Sequence, residues 1–429
     1  MRRLRFRTPG FERWLRGLPR VAEPRPKVER ASAAIVRAVR REGDAALVRF
    51  SRRFDRVELR PSELRVPPRE VRALARRADR DLVASLRIAA HSIESYHRRQ
   101  LDRGFRLRLP DGSVLAETVR PLGSVGLYVP GGAGAYPSSV LMNAIPARVA
   151  RVPRIVVATP PRALAENPAV AAALVVVGLE DAVYRVGGAQ AVAALAFGTR
   201  HVPRVDKVVG PGNAWVAAAK RLVRGQVEID HEAGPSEVVV LADDSARPEL
   251  VAVDLLAQAE HGSGEETVVL VTPSAALAAE VGRLVEIGVE SGANVRAARR
   301  ALRRHGAVVL VRNLAEGVAA VNALAPEHVE VMTRRAPSVA RGIVGGAVFV
   351  GPHAPVAVGD YGVGPNHVLP TGGSARFSSP LSVRDFLRRQ SLVRMSGRGL
   401  RRVAPSVVRL ALAEGFKAHA RSVAMRFAV

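Results

Sequence analysis

Residues 182–223 read AVYRVGGAQAVAALAFGTRHVPRVDKVVGPGNAWVAAAKRLV. The β-branched run AVYRV (182–186) passes through Gly187-Gly188 into the Ala-rich stretch AQAVAALAFG. KVV (207–209) passes through GPGN into AWVAAAKRLV in the same way. A strand, a glycine turn and a helix, repeated at once, predict α/β architecture, because parallel neighbours need a long, usually helical, crossover. The alternation extends outward in both directions. VGLYV (125–129) and RIVVAT (154–159) precede this stretch, and VVVLAD (238–243), TVVLVT (267–272), AVVLV (307–311) and AVFV (347–350) follow it. Between VVVLAD and TVVLVT lies ARPELVAVDLLAQAEHG, where Pro248 suits the first helical turn. Residues 27–104 carry apolar residues at helical spacing in two runs with Pro67-Pro68 between them, and the chain beyond 381 reads as helical and basic.

At 429 residues the chain exceeds what one hydrophobic core organises, so at least two domains are expected. Apolar residues make up 48%, enough for real cores. The longest apolar run, Ala169 to Leu179, spans 11 residues, against the roughly 18 a membrane helix needs. The Arg-rich start lacks the apolar centre of a secretory signal, so a cytoplasmic protein without membrane segments is expected. The net charge of +26 invites a nucleic-acid partner. Its distribution argues against one. Residues 1–120, 121–200, 201–300 and 301–429 carry balances of +16, +3, −5 and +12, so the excess sits at the ends, and 4% aromatic content is poor for stacking on bases. The absence of cysteine excludes disulfides, thiolate metal ligands, iron–sulfur clusters and a cysteine nucleophile.

Four side-chain groups and two glycine turns could carry chemistry, and each also has an ordinary structural reading. Gln258 and His261, three apart on the helix begun at Pro248, share a face as two metal ligands would, or end a helix at the surface. Asp360 lies in a Gly-rich turn with His367, which is either a ligand loop or an Asx turn. Glu327-His328, at the carboxyl side of an α/β element, are two bases for one pocket or a solvated helix end. Glu414 and His419 sit five apart in the helical tail, where a salt-bridged surface helix is the plain alternative. The turns VGPGN (209–213) and GGAGAYP (131–137) each present backbone N–H groups at a helix start, though neither matches a standard dinucleotide or phosphate-loop fingerprint.

Taken together and in order, these segments resemble the histidinol dehydrogenases. The resemblance rests on PLGSVGLYVPGGAGAYPSSVLMNAIPA, YRVGGAQAVAALAFGT, DKVVGPGNAWVAAAKRLV, AGPSEVVVLAD, DLLAQAEHG, APEHVEV, GDYGVGPNHVLPTGGSARFSSPLSV and EGFKAHARSV, and covers nearly the whole chain. It implies one Zn2+ per subunit held by Gln258, His261, Asp360 and His419, with Glu327 and His328 as catalytic bases. Substrate contacts then fall on Ser236 and Glu414 as well as on Gln258, His261, His328, Asp360 and His419, and NAD contacts on Tyr128, Gln190 and Asn213.

The implied reaction is the NAD-linked, four-electron oxidation of L-histidinol to L-histidine through the aldehyde, closing histidine biosynthesis. With no cysteine to form a thiohemiacetal, the aldehyde must be oxidised as its hydrate. The implied fold is two incomplete Rossmann-like domains, one inserted in the other. Residues 1–25 would form a helical N-terminal segment, 26–127 with 237–381 the first domain, 128–236 the inserted NAD-binding domain, and 382–429 an extended helical tail. That tail would join a homodimer and complete the partner's site. Trp215, Glu228, His231 and Glu232 depart from the family's usual pattern, with His231 expected near the surface. A related zinc and NAD dehydrogenase of another amino or sulfonated alcohol is the alternative enzyme, and a polyanion binder the alternative of another class.

Overall fold

The computed structural model describes residues 1–19, 26–131, 136–232, 234–292 and 294–427. Residues 132–135, the centre of the GGAGAYP turn, lie outside that set. The fold is mixed α/β with two parallel sheets and one small antiparallel sheet.

The first parallel sheet has the spatial order Val183–Arg185, Arg154–Thr159, Ser124–Tyr128, Lys207–Val209, Glu228–Ile229. Numbered along the chain, this is 3-2-1-4-5, the doubly wound pattern, and its winding reverses between Ser124–Tyr128 and Lys207–Val209. The strands are nearly continuous in Val, Ile and Ala because helices cover both faces. Gly126 in the first strand admits the helix Gly188–Phe197 at close range, since a Cβ there would stand 2.8 Å from Leu195.

The second parallel sheet has six strands, Arg2–Arg5, Ala307–Leu310, Thr267–Thr272, Glu237–Ala242, His328–Met332 and Ala347–Val350. Its last five repeat the same winding. The antiparallel sheet joins Phe105–Arg108, Val114–Pro121 and Leu387–Arg394.

Three features differ from the sequence reading. The N-terminal segment is not helical throughout, because Arg2–Arg5 adds a parallel edge strand to the six-stranded sheet beside Ala307–Leu310. Three Arg in four residues hid this strand, since an edge strand can leave most of its side chains in solvent. Residues 26–127 pack chiefly around the five-stranded sheet, with Val368 and Leu381 of 237–381 joining one of the cores they form there. Ile35, Val36 and Val39 join Tyr128 and Val192 in one core, and Val71, Leu86 and Ile93 join Val125 and Leu141 in another, both around the five-stranded sheet. The tail runs through the 3-10 turn Val383–Phe386 and the strand Leu387–Arg394 before its two helices, Gly397–Ala413 and Lys417–Ala424.

Candidate active site

Two sheet ends carry the candidate residues. At the carboxyl end of the five-stranded sheet, the turn after Lys207–Val209 leads into the helix Ala214–Val223. Asn213 caps that helix, its side-chain oxygen accepting from the N–H groups of Trp215 and Val216 at 3.0 and 3.2 Å. Gly210, at φ +116, packs against the backbone of Tyr128, and a Cβ there would stand 2.1 Å from the Tyr128 carbonyl oxygen. Lys220, buried one turn from the end of the same helix, donates to the Gly210 carbonyl and to Asp230. Asp230 in turn accepts from the Gly210 N–H at 2.7 Å. The glycine turn is thereby tied to the segment that crosses to the second sheet.

Tyr128, Gln190 and Asn213 line one cavity of about 930 Å³ at the point where the winding reverses, where doubly wound sheets bind ligands. The Tyr128 hydroxyl accepts from the Gly188 N–H at 3.1 Å, and burial pushes its pKa up to about 12, so it remains a phenol. Trp215, 40% exposed, lines the same cavity. Glu228 is an exposed strand residue, and Glu232 pairs with Arg221 at 3.1 Å. His231 is not at the surface as expected. It is half-buried, its Nε2 is shut from water without a partner, and burial lowers its proton affinity.

The crossing segment ends in Ser236-Glu237 at the amino end of the six-stranded sheet, where Glu237 and His328 begin adjacent strands. The Glu-His pair therefore stands at the amino ends of its strands, not at the carboxyl side that its place in the sequence suggested. The local geometry is reciprocal. The Glu237 N–H donates to Glu327 Oε2 at 3.0 Å, and the Glu327 N–H donates to Glu237 Oε2 at 3.2 Å. Burial raises the proton affinity of Glu327 well above that of a free carboxylate, and the charges of Glu237 and Asp360 add to it.

His328 Nδ1 lies 3.0 Å from the Glu237 carbonyl oxygen. A carbonyl can only accept, so Nδ1 carries the proton and Nε2 keeps its lone pair. That Nε2 is buried with no hydrogen-bond partner and lies 3.8 Å from Asp360 Oδ1. Burial pulls His328 down to about 4, with Asp360 opposing, which leaves a neutral imidazole at physiological pH.

Gln258 is buried in the last turn of the helix Pro248–Ala259, and neither Oε1 nor Nε2 has a partner. His261 lies beyond the end of that helix, exposed, its Nδ1 3.2 Å from the Ala257 carbonyl oxygen. The two therefore do not share one helix face as their spacing suggested. Asp360 sits in the helix Val356–Tyr361, and its carbonyl oxygen accepts from His367 Nδ1 at 3.0 Å. Ser236 hydrogen-bonds to Glu327.

The structure thus gathers Ser236, Glu327, His328 and Asp360, with the charge of His261 also felt at His328. It does not bring Glu414 or His419 to them. Both are exposed on the tail, where the His419 ring faces Phe416 at 5.1 Å between centroids. Among the described residues no three His, Asp or Glu side chains form a group able to hold a metal ion. The donors nevertheless fit a zinc ion in kind, since Gln258 Oε1, a His nitrogen and a carboxylate are oxygen and nitrogen ligands, and the buried amide of Gln258 wants a partner. Sequence reasoning missed Glu237, whose only signal was its place next to Ser236 in GPSE.

A doubly wound sheet with a ligand-sized cavity, and in the same chain a buried carboxyl next to a neutral imidazole, are the parts an α/β oxidoreductase needs. The comparisons with known proteins specify it further. The histidinol dehydrogenase family model matches residues 18–427. A histidinol dehydrogenase of Bradyrhizobium diazoefficiens is 48% identical over 400 residues, 93% of this chain and 92% of its own. That of Syntrophotalea carbinolica is 45% identical over 428 residues, 99% of each. The crystal structure of histidinol dehydrogenase from Elizabethkingia anophelis superposes with a TM-score of 0.93 at 30% identity, covering 99% of this chain and 98% of that one. The chain belongs to the histidinol dehydrogenase family.

Proposed function

We propose that the protein oxidises L-histidinol to L-histidine in two NAD-linked steps through L-histidinaldehyde, with one Zn2+ per subunit. The observation that carries this reading is the Glu327–His328 pair, a raised carboxyl beside an imidazole whose Nε2 is free to take a proton. Gln258, His261 and Asp360 would hold the metal from one chain, and His419 from the other. Zinc, when bound, supplies a fixed positive charge that orients the substrate's amine and imidazole nitrogens. NAD+, when bound, supplies the hydride acceptor.

The chain's own groups handle the protons. In the first step His328 Nε2 takes the hydroxyl proton as hydride leaves the adjacent carbon, giving the aldehyde. Water then adds to the aldehyde. Glu327 takes a proton from the attacking water, and burial makes it a stronger base than a solvated carboxylate. The carbonyl oxygen takes the proton that His328 Nε2 has held since the first step and becomes the second hydroxyl of the hydrate, which returns His328 to its neutral form. In the second step hydride leaves that carbon and His328 again takes a hydroxyl proton, giving the acid. No thiol enters, as a chain without cysteine requires.

The reading includes a homodimer in which Glu414 and His419 reach the partner's substrate. Leu410, Leu412 and Phe416, exposed on the same tail, supply apolar surface for such a contact. It also includes an inserted NAD-binding domain and a cytoplasmic location, and no helix among the described residues is long and apolar enough to cross a membrane. The test is the NADH yield from a limiting amount of L-histidinol. About two NADH per substrate, lost on zinc chelation and restored by zinc, supports the reading. One NADH, or indifference to chelation, overturns it.

A further inference from the structure

The cavity lined by Tyr128, Gln190 and Asn213 has a wall that the zinc, the bases and the substrate contacts leave unused. Arg53, Asp55, Arg56 and Arg162 form it. In doubly wound sheets a carboxylate at the end of the second strand commonly accepts from the 2′-hydroxyl of the adenosine ribose, and an Arg there accommodates a 2′-phosphate. Here the second strand, Arg154–Thr159, runs into Pro160-Pro161-Arg162, and an Arg stands where the acid would be.

The carboxylate arrives from outside the sheet. Asp55 closes the π-helical turn Ser51–Asp55, and Arg56 follows it in the left-handed region at φ +55. A non-glycine residue held there stores strain of a kind that clusters at ligand sites. Asp55 Oδ2 is shut from water and has no hydrogen-bond partner, although the charge of Arg162 reaches it. Burial raises Asp55 to about 6, so it is largely ionised at neutral pH yet poorly solvated. Such a group has a strong demand for O–H donors, which a ribose diol meets with two. A 2′-phosphate would instead meet a buried like charge. Without the carboxylate, three guanidinium groups would remain, and that is a phosphate-binding surface.

We propose that Asp55 accepts the ribose hydroxyls of the dinucleotide and sets the preference for NAD+ over NADP+, which the arginines around it would otherwise reverse. This rests on the reading of the cavity as the dinucleotide site.

The test is direct binding of NAD+ and of NADP+ by calorimetry to the full-length protein and to Asp55→Asn, Asp55→Ser and Asp55→Asn/Arg162→Gln, followed by turnover of each cofactor with L-histidinol. Asp55 Oδ2 accepts no internal hydrogen bond, so the variants should melt close to the parent. The expected result is a preference of the parent for NAD+ that falls by about tenfold or more in both single variants, with charged hydrogen bonds of this kind as the yardstick. The double variant should lose the NADP+ binding that Asp55→Asn gains. A preference unchanged within about twofold in both single variants overturns the role of Asp55 while leaving the dinucleotide reading intact. A parent that prefers NADP+ overturns it as well. A parent that binds neither dinucleotide overturns both.

Discussion

His328 owes its state to one neighbour and to its burial. The Glu237 carbonyl fixes the proton on Nδ1, and burial keeps the ring neutral by pulling it down to about 4. Gln258 presents the complementary problem, a buried amide whose two polar atoms both lack partners. An unsatisfied buried amide costs about 1–3 kcal/mol. Gln258→Met should therefore leave the metal-free protein equally stable or up to about 2 kcal/mol more so, as read from denaturant unfolding in chelator. Its zinc content, measured by atomic absorption after dialysis, should fall well below that of the parent. A destabilised variant that still holds zinc would show that the amide serves packing instead.

The strand His328–Met332 and the helix Pro248–Ala259 share a buried carboxyl pair. Glu330 faces Asp254, and burial together with that neighbour pushes Glu330 up to about 8. The folded chain therefore holds a proton that the unfolded chain, titrating near 4.5, gives up. Stability from this group is fully present below about 4.5 and is lost as pH rises toward 8. The melting temperature should accordingly drop by a few degrees between pH 5 and 8, and Glu330→Gln should flatten that slope. A steeper slope in the variant would assign the effect elsewhere.

The helix Ala214–Val223 carries the second element-level contact, the buried Lys220–Asp230 pair that clamps the Gly210 turn. Lys220→Met leaves Asp230 buried without its cation, so unfolding free energy should fall by about 3–5 kcal/mol, read from denaturant midpoints. Lys220→Met/Asp230→Leu should recover part of the loss. If the double variant is as unstable as the single, the pair is not the cause.

At the level of the molecule, His419, one of the four proposed zinc ligands, is exposed on a tail that presents apolar residues to solvent. Subunits bearing His261→Ala and subunits bearing His419→Ala should each be inactive alone. Refolded together, they should regain about a quarter of the parent activity, because half the dimers are mixed and half the sites in those are intact. Dimers that form without regaining activity would place His419 in its own subunit's site. The +26 charge is concentrated in residues 1–120 and 301–429.

Much of this was legible in the residues. The alternation of β-branched runs and Ala-rich helices marked the parallel sheets, because helices on both faces bury both sides of each strand. The collinear motifs around Gln258, Glu327 and Asp360 marked the family. The edge strand Arg2–Arg5 was not legible, since a mostly exposed edge tolerates three Arg in four residues. Nor was the role of residues 26–98, because an amphipathic helix records that one face is buried but not against which sheet.

Local pattern alone determined the fold class, the family and the exclusion of thiol chemistry, for these depend on periodicity, motif order and composition. Tertiary structure decided the rest. Only folding brings Glu237 and Glu327 into reciprocal contact across 90 positions, fixes the tautomer of His328 through a carbonyl, leaves the amide of Gln258 unpartnered, and sets Asp55 among three arginines. Protonation state and orphaned polarity are properties of surroundings, and residues distant in the chain supply those surroundings.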